Sequence, residues 1–149
     1  MHFSSDAEID RLANGFVDRS LPKSEWTHAA HFAVAASLMS SETYDAFRDM
    51  PDMIRAYNEA TGTPNTDSEG YHETITQASL RATRHFLKHC ASGRPLFARI
   101  NRLLESELAD PDWILKYWSR ERIFSTDARS VWVEPDLAPC LLYTSDAAD

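Results

Sequence analysis

Between residues 6 and 19 the apolar side chains Ile9, Leu12, Ala13, Phe16 and Val17 recur at intervals of three and four, the period of one helix face. Leu21 to Ser24 interrupts that pattern, and Ser24 followed by Glu25 predicts an N-cap with an acid in its first turn. The helix predicted over 25–40, EWTHAAHFAVAASLMS, is apolar on nearly every side after His31, which predicts a buried, central, alanine-rich helix. Residues 42–60 predict a short helix and a second one opened by Pro51.

The stretch 61–70, TGTPNTDSEG, carries two glycines, a proline and several capping residues, and predicts a loop. Thr66 and Glu69 have the spacing of a capping box. Tyr71, Ile75, Ala78, Ala82 and Phe86 then mark one face of a helix over 71–91. Leu96, Phe97, Ile100, Leu103, Leu104 and Leu108 mark another over 95–108, and DWILKYW predicts a short one after Asp110-Pro111. Residues 119–139 are mixed, with VWV as a candidate strand that has no second strand to pair with. The expected fold is all-α, a single-domain bundle of five to six helices.

Composition supports that fold. Hydrophobic residues make up 43% of the 149, with 4 Trp, 5 Tyr and 7 Phe, enough for a real core rather than a disordered chain. The formal charge of -8 argues against nucleic acid or an anionic membrane as partner. No apolar run approaches the roughly 20 residues of a membrane span. The N-terminal MHFSSDAEID lacks a secretory pattern, and Cys90 and Cys140 give no disulfide framework, so a reduced, cytoplasmic protein is expected. The expected partner is a small molecule, with a homodimer left open.

Two motifs carry candidate chemistry. On a helix turning about 100° per residue, Glu25, His28 and His31 form a polar stripe at the start of an otherwise apolar helix. Polar groups at such a place need partners, and a metal is one. In GYHET, residues 70–74, His72 and Glu73 fall in a helix's first turn, where the dipole favours a neutral imidazole and a carboxylate. If both helices start at the same end of the bundle, His28, His31 and His72 form a three-histidine set for Zn, Fe, Mn or Ni. Glu25 and Glu73 are the candidate bases for metal-bound water. Trp26, Tyr57, Asn58, Asn65 and Tyr71 are the candidate substrate contacts. The alternative is that these motifs are structural parts of a ligand-binding or regulatory module. His85 and His89 are a weaker metal pair, and Arg81, Arg84 and Lys88 read as a solvated basic face. No phosphate-binding glycine loop or G-x-S-x-G is present, so no nucleotide cofactor is expected. The leading expectation is metal-assisted hydrolysis of a small molecule, with an iron oxygenase as a variant.

The segments LPKSEWTHAAH, YNEATGTPNTDSEGYHETIT and YWSRERIFSTDARSVWVEPDL, with their W-x-H-x-x-H and G-Y-H-E-T motifs, resemble a set of small bacterial helical proteins of no assigned activity. The resemblance spans most of 21–139, implies one domain, and transfers no catalytic residue. CLLYTSDAAD, residues 140–149, resembles a translated sequencing adapter, as in a metagenomic or draft read. The domain is therefore expected over 1–139, with 140–149 a non-native tail.

Overall fold

Helix α1 (Asp6–Val17) begins where the Ser5 hydroxyl accepts the Glu8 amide, and it buries the predicted stripe of Ile9, Leu12, Ala13 and Phe16. The computed structural model describes residues 2–89 and 93–138; Cys90, Cys140 and the adapter-like tail lie outside them. Among the described residues there are seven α-helices and no strand, in one all-α domain.

The next helix starts later than its sequence suggests. Lys23–Glu25 form a single 3-10 turn, and α2 (His28–Met39) is capped by Thr27, whose hydroxyl accepts the Ala30 amide. Thr27 holds extended backbone, which a cap requires and a helix interior forbids. Glu25 therefore stands outside the helix, and the predicted stripe of Glu25, His28 and His31 is broken. The remainder of α2 is buried as predicted, from Phe32 through Ala36 and again at Leu38. It packs against α1, α3, α4 and α5, which makes it the central helix.

Helix α3 (Ala46–Ala60) runs unbroken through Pro51. Proline removes one backbone donor, here in the second turn. Asp45 offsets that loss by accepting the amides of both Phe47 and Arg48, and burial of Met50, Ile54 and Tyr57 draws both halves onto the core. The loop that follows is fastened by Asn65. Its Oδ1 accepts from the Asn58 side chain and the Tyr71 amide, and its Nδ2 donates to the Arg55 carbonyl. Gly70, at φ +85°, lies against this knot; a Cβ there would stand 2.3 Å from the Pro64 carbonyl oxygen. Thr66 and Glu69 pair through their backbones, so the predicted capping box does not form.

Helix α4 (Glu73–His89) opens one residue after His72, and α5 (Leu96–Leu103) is shorter than predicted. Ser106 ends that pattern. Its hydroxyl donates to the Leu103 carbonyl and accepts the Leu108 amide, the local bonding by which serine competes with a helix. Short 3-10 turns follow at Glu107–Ala109 and Trp113–Lys116, then α6 (Arg120–Ile123) and α7 (Thr126–Ser130), capped by Ser119 and Ser125. The candidate strand VWV is extended but joins no sheet. Instead Thr74 on α4 donates its hydroxyl proton to the Val131 carbonyl and accepts the Val133 amide.

The core has two lobes. One gathers Ile9, Phe16, Val34, Met50 and Tyr57 from α1 to α3. The other gathers Ala78, Ala82, Leu103, Trp113, Trp118 and Ile123 around Phe32 of α2. Each fully buried large side chain contributes on the order of 1.5–3 kcal/mol. Of the basic face of α4, Lys88 is exposed as expected, but Arg81 packs over the Trp132 ring at 4.3 Å and Arg84 over Phe47 at 4.5 Å. No helix among the described residues is long and apolar enough to cross a membrane.

Candidate functional site

The first turns of α2 and α4 open onto one cavity of about 390 Å³. His28, His31, Phe32 and Ala35 line it from α2, Met50 and Ile54 from α3, and Ile75, Thr76, Ser79 and Leu80 from α4. Residues 111–115 and Phe124 complete the wall. The lining is mostly apolar, and its polar side-chain groups are two imidazoles, two hydroxyls, the Asp112 carboxylate and the Trp113 indole N–H. That combination suits a small organic molecule.

Each imidazole in the cavity is tied by one nitrogen. His28 Nε2 donates to the Leu108 carbonyl at 2.7 Å, and His31 Nδ1 donates to the Thr27 carbonyl at 2.6 Å. His28 also meets Phe32 edge to face, and His31 stacks on Trp26 at 3.8 Å. Burial holds the His31 pKa down at about 4, against the raising effect of its bond to Thr27; the neighbouring His28 lowers it further. His31 is therefore neutral near pH 7. Its Nδ1 carries the proton, and its Nε2 carries a lone pair.

His72 has a different task. It is buried, its Nδ1 accepts the Ile75 amide at 3.1 Å, and its Nε2 donates to the Ile123 carbonyl at 2.6 Å. It is the N-cap of α4 and a tie to α6, with both ring nitrogens engaged. Burial lowers its pKa, which suits the neutral tautomer these bonds require. It does not line the cavity, so the structure brings together His28 and His31 but not His72. Among the described residues no group of three or more His, Cys, Asp or Glu side chains is placed to hold a metal ion.

The other sequence candidates also stand away from the cavity wall. Glu25 pairs with Arg11 at 2.9 Å on the surface. Glu73 accepts the Tyr71 hydroxyl at 2.5 Å, while the Arg55 guanidinium lies 4.1 Å from the Tyr71 ring centroid. Burial first, then Glu73, pushes the Tyr71 phenol above its usual range. Tyr57 is fully buried, and its hydroxyl donates to the Leu21 carbonyl at 2.8 Å. Trp26 packs between Phe16 and His31. Asn58 and Asn65 bond one another within the loop knot. These seven residues stand around the histidines rather than on the cavity wall.

Sequence reasoning missed Thr76, Ser79 and Asp112. Thr76 and Ser79 are polar residues three apart beside the apolar stripe of α4, and that position was the available signal. Asp112 carried none, because it follows Pro111 in a segment read only as a helix start. Comparison with protein-family models, with curated proteins and with solved structures returned no match.

Proposed function

We propose that the cavity between α2, α3 and α4 is a binding site for a small, largely apolar organic molecule oriented by His28 and His31. The observation that carries this reading is the tethering of both imidazoles. Each ring is fixed by one bond to a backbone carbonyl, which leaves a defined second nitrogen, His28 Nδ1 or His31 Nε2, for a ligand. Apolar walls supply the affinity and the two nitrogens supply the orientation. Indole is a suitable probe. It should shift the ring resonances of His28 and His31 saturably at millimolar concentration, and Ser79→Leu, which fills the cavity, should abolish the shift. Absence of a saturable shift in the wild type, or binding untouched by Ser79→Leu, would sink the reading.

Metal-assisted hydrolysis is the second reading, and one observation favours it. Histidines that bind metals commonly donate their other N–H to a backbone carbonyl, as His28 and His31 do. In that reading Zn, Fe, Mn or Ni would take His28 and His31, with water completing its shell. Metal analysis of protein purified without a histidine tag decides the point. Stoichiometric metal lost in His28→Ala supports hydrolysis; trace metal unchanged by that substitution removes it.

A further inference from the structure

The polar lining of the cavity is biased toward hydrogen-bond acceptors. His28 Nδ1 and His31 Nε2 are lone pairs in the tautomers that donate to Leu108 and Thr27. Asp112 adds a carboxylate that is exposed and makes no ion pair among the described residues. Thr76 and Ser79 carry hydroxyls that donate or accept, and the Trp113 indole N–H is the donor-only side chain set against these acceptors. No lysine or arginine stands among the lining residues. A carboxylate or phosphate ligand would find no cation here and would face Asp112. A ligand rich in N–H donors would find two imidazole acceptors within the cavity and, in the exposed Asp112 carboxylate, a compensating charge.

We infer that the occupant is an organic amine, with an apolar body against the cavity walls and a cationic N–H head met by His28, His31 and Asp112. This rests on the cavity being a binding site and adds the class of ligand it selects. The chain's formal charge of -8 would aid the approach of such a cation.

Three probes of similar shape separate the two statements: 2-phenylethylamine, 2-phenylethanol and 3-phenylpropionate, titrated by calorimetry and by the histidine ring resonances. The amine is expected to bind at least ten-fold more tightly than the carboxylate, with the alcohol between them. Asp112→Asn, a surface change that leaves the core intact, should cut the amine-over-carboxylate preference at least three-fold and spare the alcohol. Binding of the alcohol without an amine preference overturns the inference and leaves the cavity reading standing. An amine preference that survives Asp112→Asn undiminished, or that persists in Ser79→Leu, overturns it as surface attraction. Failure of all three probes to bind overturns both statements.

Discussion

His72 and Ile123 are fifty-one residues apart in sequence and joined by a 2.6 Å hydrogen bond from the imidazole Nε2 to the backbone carbonyl. The same ring caps α4 through Nδ1, so one side chain fixes the start of a helix and the position of α6. Phe124, which lines the cavity, is the next residue after Ile123.

Replacing His72 should therefore act on stability and on the cavity wall together. His72→Ala is expected to destabilise the fold by about 2–4 kcal/mol, from a lost cap and a buried carbonyl left without its donor. His72→Asn keeps an acceptor for the Ile75 amide and should recover roughly 1 kcal/mol of that loss. Urea denaturation of the three proteins checks both figures. Equal stability of His72→Ala and wild type would remove the capping role.

Stability should fall as pH drops from about 6.5 to about 4, and His31 should account for most of the slope. Above about pH 6.5 its imidazole is neutral in both the folded and the unfolded chain. Below that value the unfolded chain takes up a proton that the folded chain refuses until about pH 4. The full difference is at most about 3 kcal/mol. Asp18, Asp49 and Asp136 have pKa values lowered from 3.8, so their contributions are lost only below this window. His72, also lowered, adds to the slope. His31→Asn keeps a donor for the Thr27 carbonyl and removes the titration, so its stability should change less between pH 7 and pH 5. An unchanged slope in that variant assigns the dependence elsewhere.

Much of this arrangement was legible as pattern, and its failures have local causes. The stripe of α1 and the all-round apolar character of α2 are properties of one helix, so spacing alone predicts them. The start of α2 was misplaced because Ser24 and Thr27 are both good caps, and only the Trp26 ring, packed on Phe16 and His31, favours the later one. Pro51 misled because its backbone cost is local, whereas the burial of Met50 and Ile54 that outweighs it is tertiary. His28 and His31 stood out as polar groups on an apolar helix. Asp112 did not, since its place on the wall of the same cavity depends on how residues 111–115 cross the bundle. His72 was found for the right reason, its place in a helix's first turn, but the cap it forms uses the lone pair that a metal would need.

Thr74 should be the residue that holds the extended run after α7. Its hydroxyl serves both the Val131 carbonyl and the Val133 amide, at 2.9 and 3.2 Å. Thr74→Val keeps the shape and removes both bonds, for a loss of about 1–3 kcal/mol. Hydrogen exchange at the Val133 amide should accelerate well beyond the change at amides within α2. Unaltered protection at Val133 would show that the segment is held by packing, for instance of Trp132 against Trp118.

The cavity's outer wall comes from residues 111–115 and 124, and its ties to the start of α4 come from residues 123, 129, 131 and 133. On a ribosome, α1 to α4 emerge while that wall is still unsynthesised or inside the exit tunnel. Until then His28, His31 and the apolar faces of α2 and α4 are an open trough with nothing across it, the kind of surface that chaperones hold. The pocket is thus completed well after the helices that carry its histidines, and a ligand present during synthesis would meet a completed site only after the chain had passed Val133.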